Sequence, residues 1–300
     1  MVVVECRAPG GQAGQSSRIE NYLGFPSGVS GSELARRAIT QARRFGAEMI
    51  TIQEACALEA RGPARVVRLA SGAELSSHAV LIATGVSYRR LDAPGFDEFV
   101  GRGVYYGASL SEAQRMRDQD VYIIGGANSA GQAAIYFSRF ARSVTLLVRA
   151  DRLEKSMSHY LIEQIRAIPT IHVRLQSEVV AVGGDTHLET ITIADRSTGS
   201  EEAVAANFLF VFIGAYPHTE WIGEAVARDE QGFILSGPEL LRRADHPRWT
   251  ADHEPYLLET SLPGVFVAGD ARRSSMKRVA SAVGEGAIAV HLVHQYLDKL

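Results

Sequence analysis

Residues 122–131, with the sequence YIIGGANSAG, combine a short apolar run, a glycine pair and a stretch of small residues. This order is typical of a buried strand that passes through a tight glycine turn into a helix. In such a turn one small residue permits the bend, a second lets a ligand approach the backbone, and a third lets helix and strand pack closely. The helix directs its positive end toward the turn, so the stretch predicts a site for the pyrophosphate of a dinucleotide.

The composition around this stretch is that of a globular protein, with 300 residues, 46% hydrophobic and 22% charged, enough for one large or two medium domains. The longest apolar run, residues 208–216, is shorter than the roughly 20 residues of a membrane helix, and no basic leader opens the chain. A net charge of −3 argues against a nucleic-acid partner. Cys6 and Cys56 are the only cysteines, which excludes a disulfide scaffold and predicts a cytoplasmic protein.

Short β-branched runs alternate with helical stretches along the chain, a pattern typical of parallel sheets covered by helices. Ser30 and Glu33 predict a capping box for a helix that closes at Gly46, and a long C-terminal helix is predicted from Val279. Residues 236–255, rich in charge, proline and histidine, predict an exposed crossover loop. The predicted strands are residues 2–4, 80–82, 121–124, 144–148, 191–193, 208–213 and 265–267.

The strand that follows the glycine turn by about 20 residues should end at the ribose of the nucleotide. An NAD site has an acidic residue there, whereas this chain has Arg149, with Arg152 close behind. A guanidinium can bind a 2′-phosphate that a carboxylate would repel, so the pattern favours NADPH over NADH. Two exposed loop arginines remain the alternative. The candidate NADPH residues are Gly125, Gly126, Asn128, Ser129, Ala130, Arg149 and Arg152.

The first predicted strand ends in Glu5, which matches the ribose-binding acid of a second dinucleotide fold. The glycine turn of that fold should lie about 20 residues upstream, but only four residues precede Glu5. We therefore expect the first strand, glycine turn and helix of that βαβ motif to be missing. A plain acidic residue at a strand end is the alternative interpretation of Glu5.

Four further segments belong together: PGGQ at residues 9–12, IENYLGFP at 19–26, ATG at 83–85 and GVFVAGD at 264–270. In this order and spacing they resemble the low-molecular-weight thioredoxin reductase family. The resemblance runs from Val2 to the C-terminus and is strongest to reductase-like modules fused to cyclic-nucleotide-binding or response-regulator domains. It implies an α/β protein of two three-layer, Rossmann-like domains. The NAD(P)H-binding domain, 91–216, would be inserted in the FAD-binding domain, 1–90 and 217–300.

The resemblance also implies roles for individual residues in binding FAD. Glu5 would hold the adenosine ribose, and Asp270 would accept a hydrogen bond from the ribityl chain. The helix starting near Arg278 would stabilise negative charge on the reduced ring, with Gly284 and Gly286 allowing close packing. The candidate FAD residues are Glu5, Gly10, Gly11, Gln12, Asn21, Thr84, Gly85, Gly269, Asp270, Arg278, Val279 and Ala280.

Two departures from the family pattern affect the expected chemistry. The redox Cys-x-x-Cys of the family would occupy residues 107–110, where this chain has Gly107, Ala108, Ser109 and Leu110. Cys6 and Cys56 are predicted to be small core or strand residues, so no catalytic residue is assigned. The family's 2′-phosphate site is a His-Arg-Arg run with a later arginine, but here only Arg149 remains and Glu154 takes the later position.

These features predict an FAD-dependent pyridine-nucleotide oxidoreductase that passes a hydride from NADPH to FAD. The electrons would then pass from FAD to an acceptor without a dithiol. The acceptor is left open between a redox protein and a small molecule, and the family implies a homodimer. His291 and His294 are interpreted as solvent or interface residues, and no metal site is predicted. The alternative is a non-catalytic or truncated flavin- or nucleotide-binding protein: a sensor, a split subunit or a fragment.

Overall fold

The computed structural model describes residues 1–16, 19, 21–106, 115–242, 249 and 251–300. Its helices are α1 Gly11–Gly14, α2 Gly31–Arg44, α3 Asn128–Phe137, α4 His159–Ala167, α5 Glu239–Arg242 and α6 Val279–Leu297. Its strands are β1 Val2–Glu5, β2 Glu48–Thr51, β3 Ala55–Arg61, β4 Ala64–Leu69, β5 Glu74–Ser77, β6 Val80–Ile82, β7 Val86–Tyr88, β8 Val104–Tyr106, β9 Asp120–Ile124, β10 Ser143–Leu147, β11 Ile171–Arg174, β12 Ser177–Gly183, β13 Thr190–Asp195, β14 Glu201–Ala205, β15 Phe208–Val211, β16 Ala215–Pro217 and β17 Val265–Val267.

The chain folds into two compact units, one of which is interrupted in sequence by the other. Unit 1 comprises Met1–Ser87 and Ala215–Leu300, and unit 2 comprises Tyr88–Gly214. The predicted breaks, after residues 90 and 216, lie three and two residues beyond these limits. Which nucleotide each unit binds stays a prediction.

Unit 2 is built on a five-stranded parallel sheet in the order β11-β10-β9-β15-β8. Apolar side chains from α3 and α4 pack on one face of this sheet, with Phe137 and Phe210 fully buried between them. The antiparallel strands β12, β13 and β14 cover the other face, where Ile193 of β13 and Leu209 of β15 are buried in one cluster. Burial on both faces explains why β9, β10 and β15 have mostly apolar sequences.

Unit 1 contains smaller sheets. The parallel pair β6–β17 has α6 on one side, where Phe266 contacts Tyr296, and Leu58 of β3 on the other. The antiparallel meander β3-β4-β5 supplies that second layer. The parallel pair β1–β2 and the pair β7–β16 form separate two-stranded sheets.

The predicted helix start at Ser30 is confirmed, with one change in its hydrogen bonding. Ser30 is the N-cap of α2, and its Oγ accepts the Glu33 N–H at 3.2 Å. The Glu33 carboxylate does not return this bond but pairs with Arg36 and Arg37 on the next turn. The helix ends at Arg44, shortly before Gly46, which has a φ of 80°. The long C-terminal helix from Val279 is also confirmed.

Three local predictions are corrected by the structure. The stretch 236–255 is not simply an exposed loop, because Ser236, Gly237 and Leu240 are buried and α5 begins at Glu239. Strand β15 ends at Val211 rather than at residue 213. Both cysteines are exposed: Cys6 lies in a bend after β1 and is neither a core nor a strand residue, whereas Cys56 lies in strand β3 as predicted.

Candidate functional site

In unit 2 the glycine turn connects β9 to α3 as predicted. Gly125 has a φ of 147°, and a Cβ added there would lie 2.6 Å from the Phe212 carbonyl oxygen. A Cβ added to Gly126 would lie 2.8 Å from Val148 Cγ1. Ala130 is fully buried where α3 meets the turn. These small residues therefore let helix α3 start directly above the carboxyl end of the sheet.

The first turn of α3 has the properties of an anion site. Its N-cap is Ala127, and among the described residues no side chain caps the helix. The first amide groups of a helix have no partner within it, so those of α3 can bind a phosphate. The Asn128 side chain is engaged elsewhere, since its Oδ1 accepts the Ser158 N–H at 2.8 Å and contacts Ser158 Oγ at 3.0 Å. Ser129 occupies the second position of the helix.

Arg149 and Arg152 follow β10 on the same edge of the sheet, and both are exposed. The nearby acids are paired with bases: Asp151 with Lys155 at 2.7 Å, and Glu154 with Arg166 at 3.1 Å. The ammonium of Lys155 also holds the pKa of the Asp151 carboxyl below its ordinary value. Because these acids are offset by bases, the two arginines leave positive charge beside the turn.

In unit 1 two predicted segments emerge from one sheet edge. Strands β6 and β17 run parallel, with Ile82 opposite Val267, and the Ala268 N–H donates to the Ile82 carbonyl at 3.0 Å. The segment containing Thr84 and Gly85 and the segment containing Gly269 and Asp270 therefore leave the sheet together. Ligands of open α/β sheets bind outside the carboxyl ends of strands, so this edge is the candidate site of unit 1.

Further contacts fix the first of these segments. The Gln12 side chain donates from Nε2 to the Val86 carbonyl at 2.6 Å, which ties α1 to the strand that follows Gly85. Thr84 Oγ1 donates to the His218 carbonyl at 2.7 Å, and the His218 N–H donates to the Gly85 carbonyl at 3.0 Å. Gly85 itself has a φ of 68°, and a Cβ added there would meet nothing within 4 Å.

The glycine pair before α1 has two different roles. A Cβ added to Gly10, whose φ is 120°, would lie 2.8 Å from Ala35 Cβ, so this position must be small for α1 to approach α2. Gly11 has a φ of 50° and open space where its Cβ would be. An open position with left-handed backbone suits the close approach of a ligand.

Asp270 lies half-buried in the turn after β17. Burial raises the pKa of its carboxyl above the ordinary value, the Lys277 ammonium lowers it, and the Glu285 carboxylate raises it further. Helix α6 starts nine residues later, with Arg278 as its extended N-cap and Val279 and Ala280 in its first turn. A Cβ added to Gly269 would lie 3.3 Å from Ala282 Cβ, so this turn packs against the start of α6.

Two predicted FAD residues are not linked to this edge by the contacts described. Glu5 ends β1 in a separate sheet, and its Oε1 accepts the Arg7 N–H at 2.9 Å. Asn21 lies exposed in a bend after Ile19. A Cβ added to Gly284 or Gly286 would meet nothing within 4 Å among the described residues, so the close packing expected of them beside the flavin stays a prediction. The dithiol position, residues 107–110, lies outside the described residues.

Several residues near the candidate sites were not identified from sequence. Glu285 and Arg272 form an ion pair beside Asp270, and the buried Arg272 Nε has no hydrogen-bond partner in the described structure. A cavity of about 420 Å³ is bounded partly by Arg273, Ser274 and Lys277, the loop between Asp270 and α6. Sequence periodicity carries no signal for these side chains, since they meet only through the tertiary fold.

The residues present fit a dinucleotide at each site. In unit 2 the uncapped amides of α3 and the exposed Arg149 suit a phosphorylated nucleotide. In unit 1 the open glycines 11 and 85 leave room for a planar ring, and the unpartnered Arg272 Nε is a buried donor suited to an anion. All twelve candidate FAD residues lie in unit 1, and all seven candidate NADPH residues lie in unit 2.

Comparison with known proteins agrees with this fold. Residues 1–286 match the family model of the pyridine nucleotide-disulphide oxidoreductases. Over 299 residues the chain is 31% identical to a thioredoxin reductase of Treponema pallidum, covering all of this chain and 90% of the relative. It is 34% identical to a bifunctional thioredoxin reductase/thioredoxin of Mycobacterium leprae, of which it covers 60%. The crystal structure of a Streptococcus pyogenes thioredoxin reductase superimposes with a TM-score of 0.85 at 30% identity, covering all of this chain and 90% of that one.

The chain therefore belongs to the pyridine nucleotide-disulphide oxidoreductase family and resembles its thioredoxin reductases. The predicted fold class, two Rossmann-like α/β domains, is confirmed. The chain is an NAD(P)H-dependent flavoprotein oxidoreductase, and thioredoxin reductases use FAD and NADPH, the cofactors predicted from sequence. In the part of the chain that the structure describes, no helix is long and apolar enough to cross a membrane.

Proposed function

We propose that this chain is a reductase that binds FAD in unit 1 and NADPH in unit 2, and passes electrons to an acceptor without an internal Cys-x-x-Cys. The observation that carries the FAD assignment is the shared edge of β6 and β17, from which Thr84, Gly85 and Asp270 emerge beside the start of α6. When bound, FAD accepts a hydride from the reduced nicotinamide at N5 and passes the electrons on.

The candidate site residues of unit 1 have distinct roles in this proposal. Gln12 holds α1 against the strand after Gly85, which keeps the open glycine backbone in place for a flat ring. The Asp270 carboxylate accepts hydrogen bonds from sugar-alcohol hydroxyl groups. The amides of Val279 and Ala280 present the positive end of α6, which stabilises negative charge near the ring.

In unit 2 the amides at the start of α3 bind the pyrophosphate, and Gly125 and Ala130 keep the helix close to the sheet. Arg149 and Arg152 pair with the 2′-phosphate and so favour NADPH. This preference is supported by the ion pairs of Asp151 and Glu154, which offset the two carboxylates that would otherwise repel a phosphate.

The acceptor is either a redox protein or a small molecule. Several relatives are thioredoxin reductases, but Gly107-Ala108-Ser109-Leu110 contains no thiol, so this chain needs a different electron route from a family member with a Cys-x-x-Cys. A homodimer and a cytoplasmic location remain predictions, the first from the family and the second from the two cysteines.

The test is an anaerobic half-reaction. The chain is incubated with FAD, freed of excess and mixed with NADPH while the flavin absorbance is followed, and the reduced protein is then mixed with thioredoxin, menadione or ferricyanide. We expect NADPH to bleach a bound flavin, and at least one non-thiol acceptor to restore the colour. A colourless protein after incubation with FAD would refute the proposal.

A second candidate, a nucleotide-binding protein without turnover, is favoured by one observation. Within the described part of the chain, strands β1 and β6 are each paired on one side only, in separate two-stranded sheets, and Val2 and Leu81 in them are exposed. Unpaired strand edges weaken a sheet that has to hold a cofactor. Tight FAD binding without any bleaching by NADPH or NADH would favour this candidate.

A further inference from the structure

Glu285 of α6 contacts both ends of the turn that carries Asp270. Its Oε2 accepts the Gly269 N–H at 2.7 Å, and its Oε1 pairs with the Arg272 guanidinium. Only 15% of the Glu285 side chain and 21% of the Arg272 side chain are exposed, so both contacts are largely shielded from water. Hydrogen bonds between charged groups are stronger than neutral ones, and shielding strengthens them further.

The C-terminal end of the turn is held by Ile234, whose N–H donates to the Ala271 carbonyl at 3.0 Å and whose carbonyl accepts the Arg273 N–H at 2.9 Å, whereas Glu285 holds the N-terminal end at Gly269. Gly269 has a φ of 75°, and residues 269–271 form a single turn of 3₁₀ helix directly after β17. The Arg272 N–H returns to the Gly269 carbonyl at 3.0 Å. The Glu285 carboxylate adds the connection between this turn and α6, which carries the other predicted FAD residues.

Resting on the FAD assignment made above, we propose that Glu285 is a positioning residue of the flavin site. Its carboxylate fixes the turn between Gly269 and Arg272 against α6, so that Asp270 faces the sugar-alcohol hydroxyls of FAD. Glu285 does not itself touch the cofactor in this arrangement. Removing its charge should disorder or reorient the turn and weaken FAD binding, while the rest of unit 1 stays folded.

The charges around Asp270 provide a readout that a purely structural role would not move. Lys277 and Glu285 act on its carboxyl with opposite sign, the ammonium lowering its pKa and the carboxylate raising it. Lys277 in turn interacts with Asp229 and Arg272. Glu285→Gln should therefore lower the pKa of Asp270, whereas Lys277→Met should raise it.

The experiment compares Glu285→Gln, Glu285→Ala and the wild type. Glutamine keeps an oxygen for the Gly269 N–H but loses the ion pair with Arg272, whereas alanine loses both contacts. We expect FAD dissociation constants, measured by quenching of flavin fluorescence, to rise about tenfold for glutamine and about a hundredfold for alanine. Glu224→Gln, which changes an exposed glutamate of the same unit, is the control and should bind FAD as the wild type does.

The second measurement is made on the apoprotein and does not depend on turnover. The ¹³C shift of the Asp270 carboxyl is followed against pH, and its midpoint should fall in Glu285→Gln and rise in Lys277→Met. Wild-type protein that binds no FAD would overturn the flavin assignment together with this proposal. If the wild type binds FAD and both Glu285→Gln and Glu285→Ala retain its affinity, the positioning role alone is overturned, whatever the Asp270 midpoint.

Discussion

Glu259 and Asp270 are both carboxyl groups of unit 1 whose pKa is raised by burial, yet their surroundings differ. Glu259 is fully buried and accepts the N–H groups of Gly264 at 2.9 Å and Tyr256 at 3.1 Å. Its hydrogen-bonding capacity is used in shaping the loop before β17. Asp270 lies at the open edge of the sheet, so a ligand can reach it. A raised pKa therefore indicates function only together with access.

Substituting Glu259 tests the structural role of the first carboxyl. Because burial raises its pKa above the value in the unfolded chain, the folded protein binds the proton more tightly, and its contribution to stability is lost as pH rises through the folded pKa. His253 and Lys299 oppose this shift, and the amides of Gly264 and Tyr256 do so as well. The Glu259→Gln protein has no titratable group at this position, so we expect its free energy of unfolding to fall less than that of the wild type as the pH rises above 4.5. Urea titrations at a series of pH values measure this difference.

A control variant, Glu224→Gln, changes an exposed carboxyl and should keep the wild-type pH dependence. If the free energy of unfolding of Glu259→Gln also followed the wild-type pH dependence from acid to neutral pH, the prediction would be contradicted.

With NADPH bound in unit 2, Arg149 determines the preference for NADPH over NADH. Replacing it with alanine removes charge-assisted hydrogen bonds to the 2′-phosphate, which are worth about 1.5–3 kcal/mol. We expect the kcat/KM of flavin reduction to fall about 10- to 100-fold with NADPH and to stay unchanged with NADH. Arg139→Ala, at an exposed arginine elsewhere in unit 2, is the matched control. Equal losses with the two nucleotides in Arg149→Ala would contradict this role.

At the scale of elements, α6 is apolar on two sides, although only one of them packs on the sheet. Ala289 and Tyr296 are buried against β17, whereas Val283, Val290 and Leu297 are exposed. The two glycines of this helix lie in open space. Helical periodicity correctly predicts that α6 exists, but it cannot tell which of two apolar faces the fold will cover.

Glycine substitutions separate positions that need glycine from those that do not. Gly286→Ala should raise the free energy of unfolding by about 1 kcal/mol, because alanine is the better helix former and its methyl group meets nothing. Gly125→Ala should lower it by about 1–3 kcal/mol, since φ is 147° and the Cβ would press on the Phe212 carbonyl. Urea unfolding with probes in each unit measures both. A destabilised Gly286→Ala protein would mean that the space beside α6 is filled in solution.

The sequence predicted the elements that are buried on both faces, because their apolar runs are continuous. Strands β9, β10 and β17 are of this kind, and each was found within a residue or two of its predicted limits. The meander β3-β4-β5 was not predicted, since its strands alternate charged and apolar residues, as in Arg65 and Val66. A half-exposed antiparallel strand gives a weaker signal than a buried parallel one.

At the scale of the whole molecule, the insertion of one unit within the sequence of the other could be predicted only from motifs that lie far apart in sequence. The segment ATG at 83–85 and the segment GVFVAGD at 264–270 are distant in sequence but leave one sheet edge side by side. Their pairing is a tertiary property, which explains why the sequence indicated Asp270 but gave no sign of Glu285 or Arg272. The residues chosen by motif are those predicted to face a ligand, whereas the residues that support them can be identified only from the fold.

The assignment of one nucleotide to each unit can be tested without turnover, by hydrogen exchange of the intact chain. A ligand that binds only the folded state stabilises the part of the protein that holds it. We expect FAD to slow exchange of amides in residues 82–87 and 268–282 of unit 1, and NADP⁺ to slow it in residues 124–131 and 148–153 of unit 2. The Arg149→Ala protein supplies the internal control, because it should lose the protection by NADP⁺ and keep the protection by FAD. Slower exchange in the same unit with both nucleotides would contradict the assignment of one nucleotide to each unit, whatever the activity of the protein.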